Sequence, residues 1–323
     1  MKNRIWIIPI EPLEERYSAQ WYRWFDEDEN WKDALFINGK SLTDKIECGS
    51  FLDVYSTNHY KASQVMEIAK YLRDGLIKEG DVLFFHDLWF PLEQIFYMLD
   101  GASIDVKVAG FLHAGSYDKN DFLYRKGMSS WALHMERGWL KRVDHVFVFS
   151  LFHERLVQQE LGPLCNLEVV PFPYRWSDLD QYKSETKDIQ VVFPHRLDPE
   201  KSPQVIELLR NKGIEVTVTK EICESKSDYW RILGRSQYAI SWAKQETFGI
   251  AMAEAAYLGC MPLVPNRLSY PELFSKNCVF GSIDSMIKTI QERKIVPCEG
   301  PHHKNSFLYI REALSRKFSN IRV

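Results

Sequence analysis

The 323-residue chain contains no run of about 18 consecutive apolar residues, the length that a membrane-spanning helix needs. Its opening, Met1 to Pro9, is basic at the start, but the apolar stretch is too short for a secretory signal and Glu11 follows at once. The six cysteines, Cys48, Cys165, Cys223, Cys260, Cys278 and Cys298, are scattered without a Cys-x-x-Cys pair. That pattern argues against a disulfide framework or a zinc site and suits reduced thiols. Charge of one sign is not in excess either: a formal net charge of −3 argues against indiscriminate polyanion binding and leaves a local basic patch as the route to a nucleic acid. No Asp-x-Asp cluster stands at a strand end, and Asp26 to Glu29 reads as a solvated turn. No internal repeat of solenoid period and no low-complexity tract is present. These absences predict a soluble cytoplasmic protein without a membrane partner, and the length suffices for two α/β domains with cores of their own.

What is present is concentrated in one stretch. Tyr238 to Trp242 and Met261 to Pro265 are apolar runs of strand length, and Ile250 to Leu258 between them is rich in alanine, with Gly259 at the C′ position. The unit is therefore strand, loop, helix, strand. In such a unit the loop at the carboxyl end of the first strand receives ligands, and the unpaired N–H groups at the helix start attract phosphate. Glu246 lies on the loop and Glu254 eight residues later in the helix. Two carboxylates placed so can flank one ligand and accept from hydroxyl pairs of a sugar or ribose; taken alone, two such glutamates are also compatible with a solvated helix face and loop. Phe248-Gly249 at the helix start lets a phosphate approach the backbone.

Along the rest of the chain, strands are predicted at 4–10, 34–38, 51–55, 82–86, 106–112, 143–149 and 167–170, with helices at 62–76, 92–99, 126–142 and 151–161. Arg16, Tyr17, Trp21, Tyr22, Arg23 and Trp24 mix cations with aromatics, which suits stacking on a base beside a phosphate and equally an amphipathic helix with its aromatics in the core. His113, Ser116, Asp118 and Asp121 follow a strand; a packed histidine and solvated carboxylates are the plain alternative. Arg125, Lys126, Arg137, Lys141 and Arg142 with Trp131 and Trp139 form the densest basic-aromatic segment, a solvated face or a nucleic-acid contact. Residues 171–188 are the expected domain junction. Beyond it Ile189 to Phe193 opens a second sheet, and the loop from Pro194 to Lys201 leads to Ser202-Pro203 as N-cap and N1 of a helix ending near Arg210. Arg196 and Lys201 on that loop can grip a phosphate, one as a planar fork and the other as a point charge. Strand and helix at 214–218 and 229–233 follow, then, past the central stretch, a strand at 279–280 and helices at 285–292 and 306–318.

Glu246 and Glu254 with Phe248-Gly249 between them resemble the E-x7-E signature of retaining GT-B glycosyltransferases of the family 4 type. Val192 to Pro203 resembles their donor-phosphate segment, and Leu258 to Pro265 with Tyr270 to Leu273 continues the similarity. Within that family the chain looks most like the tRNA-queuosine mannosyltransferase group, and its compact length and opening also resemble phage enzymes that glycosylate hydroxymethylated DNA bases. The C-terminal half carries nearly all of the match, and the glycine-rich loop of many relatives after the first strand is missing. The resemblance implies an α/β GT-B architecture, two Rossmann-like doubly wound domains facing each other across a cleft. Residues 1–172 would form the acceptor domain and 173–305 the donor domain, with 306–323 a terminal helix packed back on the first. It also implies a UDP- or GDP-sugar as donor substrate and no bound metal or cofactor. Arg196, Lys201, Phe248, Gly249, Ile250 and Glu254 would bind the donor, His113 and Glu246 would act on the transferred sugar, and Arg16, Tyr17, Ser116 and Asp118 would face the acceptor. That acceptor is expected to be a modified nucleic-acid base, DNA before tRNA. Sugar transfer to a lipid or polysaccharide, and a non-catalytic binding module, are the alternatives.

Overall fold

Runs of β-branched and aromatic residues form two all-parallel sheets, in a computed structural model that describes residues 3–13, 16–42, 53–318 and 321. The chain divides into two units: Met1–Phe149 with Glu154–Tyr174 and Asn305–Val323, and Ser150–His153 with Arg175–Lys304.

The first unit contains β1 (Ile5–Ile8), β2 (Leu35–Phe36), β3 (Val82–Phe85), β4 (Lys107–Phe111), β5 (His145–Val148) and β6 (Leu167–Val169), ordered β2-β1-β3-β4-β5-β6. β1 pairs with β3 from Ile5↔Val82 to Ile8↔Phe85. Every residue of β1, β3 and β5 is buried, which is why these segments read as continuous apolar runs rather than alternating ones: helices cover both faces of a parallel sheet. The last helix, Ser306–Lys317, belongs to this unit; the Trp31 indole donates to the Phe307 carbonyl at 3.1 Å, and Phe25 and Phe307 meet edge to face at 4.9 Å.

The second unit contains β7 (Ile189–Phe193), β8 (Val216–Val218), β9 (Ser236–Ile240), β10 (Met261–Pro265) and β11 (Val279–Phe280), ordered β11-β10-β9-β7-β8. In each sheet the order reverses once. The chain leaves β1 for β2 on one side and then crosses to β3 on the other; it leaves β7 for β8 and then crosses to β9. Diverging loops at such a point open a crevice at the carboxyl ends of the strands.

Several sequence expectations need correction. The strand expected at 51–55 is not formed where it is described: Phe51 and Leu52 lie outside the described residues, while Val54 and Tyr55 open the helix Val54–Arg73. Asp53 is its N-cap, accepting from the Ser56 N–H at 2.6 Å, and a satisfied N–H at that point commits the following chain to a helix. The helix expected from Lys126 begins at Ser129, after a short turn of helix at Phe122–Arg125 and a left-handed Gly127. Ser202 is not an N-cap: it adopts φ 56° after the 3₁₀ turn Pro199–Lys201, and the helix Gln204–Arg210 starts beyond Pro203. The strand expected from Tyr238 to Trp242 runs from Ser236 to Ile240, and Ser241 and Trp242 belong to the loop.

The helix Tyr17–Glu27 settles the aromatic cluster near the amino end. Trp21, Trp24 and Phe25 are fully enclosed, and the Trp21 ring contacts Phe111, His113 and Phe172 at 5.1–5.4 Å. These rings form core, so Trp21 and Trp24 offer no face to a base. Trp21→Ala should therefore lower the unfolding free energy by about 3–5 kcal/mol, read from urea denaturation; a loss under about 1 kcal/mol would contradict the packing.

Candidate functional site

At the reversal point of the second sheet, the loops after β7 and β9 are bonded to each other. The Lys201 ammonium donates to the Gln245 carbonyl at 3.1 Å and pairs with Glu246 Oε2 at 2.9 Å. The Lys244 N–H donates to the Glu200 carbonyl at 2.7 Å. Arg267, just beyond β10, clamps the same loop from the other side by donating to the Ala243 carbonyl at 2.9 Å and the Trp242 carbonyl at 2.7 Å. Arg196 stays with the acids of its own loop, 3.1 Å from Asp198 Oδ2 and 3.3 Å from Glu200 Oε1, and is about a third exposed. The buried His195 beside it has its pKa well below the usual value, first through burial and then through Lys201 and Arg196. It is a neutral neighbour for these cations.

Gly249 sets the entry into the helix Ile250–Tyr257. Its φ is 90°, and a Cβ there would come within 2.9 Å of Tyr270 Cε1 and 3.5 Å of Glu246 Cγ. Tyr270 cannot yield, because its hydroxyl is bonded to Ser241 Oγ at 2.8 Å and its ring is fully buried. A side chain at 249 therefore meets both an unfavourable backbone conformation and an occupied space. Phe248 is buried beneath this turn, and Ile250 is the first helical residue, half-buried.

Glu254 does not join Glu246. Its side chain is 1% exposed and pairs with Lys226 Nζ at 2.9 Å from Oε1 and 3.2 Å from Oε2, while the Trp230 indole donates to Oε1 at 3.0 Å. Tyr229 also bonds the carboxylate, and burial with that neighbouring charge pushes its phenol pKa well up. Lys226 and Trp230 stand on the helix Lys226–Arg235, whose start is set by Ser225: its Oγ accepts from the Asp228 N–H at 3.1 Å and donates to Asp228 Oδ2 at 2.6 Å, a reciprocal cap that places the first turn. Lys226 and Trp230 were not singled out from the sequence. Nothing in the chain order signals that a lysine 28 residues before Glu254 would be its counter-ion.

In the first unit, His113 follows β4, and its Nε2 lies 2.8 Å from the His86 carbonyl. A carbonyl only accepts, so Nε2 carries the proton and Nδ1 presents a lone pair. The Tyr17 hydroxyl lies 3.5 Å from that Nδ1. Burial lowers the His113 pKa, and complete burial takes that of His86 down to about 3. Ser116, expected on the acceptor side, is enclosed: its N–H and Oγ both donate to Glu136, at 2.7 and 2.6 Å. It holds the buried Glu136 in place and presents no group to a ligand. Asp118 is nearly buried and accepts from the Asn120 N–H at 2.8 Å, an Asx turn that shapes the loop. Arg16 is half-buried at the start of the first helix. A cavity of about 510 Å³ lined by Lys107, Asp144 and Asn166 lies at the amino ends of β4, β5 and β6, the opposite edge of this sheet from His113. Among the described residues no group of three or more His, Cys, Asp or Glu side chains could hold a metal ion, and no helix is long and apolar enough to cross a membrane.

Two parallel sheets flanked by helices, each reversing its strand order once, make this the GT-B fold. The sucrose-phosphate synthase of Thermosynechococcus elongatus superimposes with a TM-score of 0.65 at 11% identity, covering 90% of this chain and 89% of that one. Anabaena HepE, solved with UDP and glucose, superimposes with a TM-score of 0.62 at 12% identity, covering 98% and 95%. At the level of sequence, the chain is similar to the tRNA-queuosine alpha-mannosyltransferase of Drosophila melanogaster, 28% identical over 176 residues. That match covers 43% of this chain and 47% of the insect protein, so the chain spans about half the length of the curated relative it matches. No family model matches.

Two variants test the geometry. Gly249→Ala should lower the unfolding free energy by roughly 1–2 kcal/mol, whereas Gly138→Ala, in an exposed helical position with open space around it, should raise it by up to about 1 kcal/mol. Equal effects in urea titrations would remove the special role of Gly249. For His86, a folded pKa of about 3 against an unfolded value near 6.5 means that stability present above pH ~6.5 is lost as the pH falls toward 3. His86→Phe should make the decline of unfolding free energy between pH 6.5 and 5 shallower, by up to about 1.4 kcal/mol per pH unit. An unchanged slope would mean that His86 titrates normally.

Proposed function

We propose that the protein is a retaining GT-B glycosyltransferase that moves a sugar from a nucleotide-sugar onto a hydroxyl of a modified nucleic-acid base, with queuosine in tRNA as the leading acceptor. The observation that carries the donor half is the bonded pair of loops at the reversal point of the second sheet: Lys201 and Glu246 held together, with the left-handed Gly249 opening the helix beside them. In transfer, the bond from the anomeric carbon to the diphosphate breaks and a bond to the acceptor oxygen forms, while the proton of that hydroxyl passes to an oxygen of the departing diphosphate. Negative charge gathers on the departing diphosphate. Arg196, Lys201 and the N–H groups at the start of the helix Ile250–Tyr257 are the groups that offset it. Glu246 is the candidate for the hydroxyls of the transferred sugar, and His113 is the first unit's catalytic candidate. Retention of configuration follows the resemblance of Glu246 and Glu254 to the E-x7-E signature.

The acceptor half rests on the insect relative, whose name specifies a queuosine in tRNA. The hydroxymethylated DNA base, preferred from the sequence, finds no parallel among these relatives. Arg125, Lys126 and Trp131, exposed around the start of the helix Ser129–Arg142, are a basic-aromatic surface compatible with a nucleic acid.

The test is transfer from UDP- and GDP-sugars to queuosine-containing tRNA, hydroxymethylated DNA and unmodified DNA. Transfer to the tRNA is expected, with affinity for it falling steeply as salt rises. Arg196→Ala and Glu246→Gln should each reduce kcat/KM by about a hundredfold or more. Transfer to hydroxymethylated DNA alone would reassign the acceptor, and unchanged turnover in both variants would refute the site.

A further inference from the structure

We infer that Cys298 and Cys278 form a site of reversible oxidation by hydrogen peroxide, in which Cys298 takes the oxidant and Cys278 resolves it as a disulfide. The six cysteines are scattered along the chain, yet the fold brings these two together at the amino end of β11, the opposite edge of the second sheet from Lys201 and Glu246. Ser275 joins them. The Cys278 N–H donates to the Ser275 carbonyl at 2.9 Å, the Ser275 hydroxyl donates to Cys298 Sγ at 3.4 Å, and the Glu299 N–H donates to that hydroxyl at 3.2 Å. The two thiols also hydrogen-bond each other, and both are free.

The two sulfurs differ in access and in acidity. Cys278 is fully enclosed, whereas Cys298 is half-buried on a loop where Pro297 and Glu299 are exposed, so Cys298 is the one that meets an oxidant from solution. The hydrogen bond from Cys278 lowers the Cys298 pKa most, and those from Ser275 add to it, against burial and the Glu299 carboxylate. The same contact, with burial, pushes the Cys278 thiol up. A thiolate that solvent can reach beside a protonated thiol is the arrangement that oxidation followed by resolution requires. Burial instead pushes Cys260 up to about 12 and Cys223 up to about 11, which leaves them inert. In the first step the Cys298 thiolate attacks one peroxide oxygen and the O–O bond breaks; sulfur is oxidised to a sulfenic acid, and the other oxygen leaves as water with a proton from solvent. In the second step the Cys278 sulfur attacks the sulfenic sulfur. The S–S bond forms, the S–O bond breaks, and the departing hydroxide takes the Cys278 proton and leaves as water. A dithiol reductant reverses the bond by exchange. The disulfide would close the chain over β11 and the helix Ile283–Gln291. It would also tether a segment whose His302, with Nε2 2.9 Å from the Ala253 carbonyl, leans on the helix Ile250–Tyr257.

The experiment is peptide mapping by mass spectrometry, without reductant, of the full chain after reduction and then exposure to hydrogen peroxide at neutral pH. A pair of peptides linked through Cys278 and Cys298 is expected, and a dithiol should release it. In the reduced protein, iodoacetamide should label Cys298 about tenfold or more faster than Cys260. Cys298→Ser should abolish the link and leave Cys278 unmodified. Cys278→Ala, checked by far-ultraviolet circular dichroism, should leave Cys298 as a sulfenic acid that dimedone traps; the wild-type map decides the matter even where this variant fails to fold. Three results would overturn the assignment: both thiols still alkylated after peroxide, a link from Cys298 to another cysteine in place of Cys278, or sulfinic acid at Cys298 with Cys278 untouched. None of them bears on sugar transfer, which rests on other residues.

Discussion

The bond between Lys201 and the loop after β9 is the constraint on which the second unit's edge depends. Strand order alone would let the loops after β7 and β9 diverge, since one neighbouring connection turns toward β8 and the other toward β10. Lys201 bridges them through Glu246 and the Gln245 carbonyl, and the Glu200 carbonyl adds a backbone bond to Lys244. With that edge held, the short reach from Glu246 to Gly249 has to turn sharply into the helix, and Tyr270 leaves room only for a residue without a side chain.

Three cations at this edge already have acids, while Arg267 is held by carbonyls. Arg196 faces Asp198 and Glu200, Lys201 faces Glu246, and Lys226 faces Glu254. Pairing spares partly buried ammonium and guanidinium groups the full cost of desolvation. The pairs differ in their contact with water: Asp198 and Glu246 are partly exposed, whereas Glu200 and Glu254 are enclosed. Two glutamates that look equivalent in the sequence thus have different physical roles.

Much of the fold is legible in the sequence because parallel strands buried on both faces leave uninterrupted apolar runs. β3, β7 and β10 fall within the strands predicted at 82–86, 189–193 and 261–265. Errors gather where a single side-chain bond outweighs the local pattern. Val54 and Tyr55 have strand-like chemistry, yet the Asp53 cap starts a helix there; Ser202 has the chemistry of a cap, yet the preceding 3₁₀ turn forces it into the left-handed region. The aromatics after Arg16 admitted two readings in the sequence, since an amphipathic helix and a stacking platform share a composition, and the enclosure of Trp21 and Trp24 selects the first.

By itself the sequence determined the two parallel α/β sheets, the loop-to-helix unit carrying Glu246 and Glu254, and the glycine at its turn, because each is encoded by residues close together in the chain. Only the tertiary structure decided what those residues face. Lys201 reaches Glu246 across 45 residues, Lys226 reaches Glu254 across 28, and Ser116 turns inward to Glu136 across 20. Such partners have no local signature: an ion pair is set by the distance between two charged atoms and by the water excluded around them, and both arise only when the sheet brings distant loops to one edge.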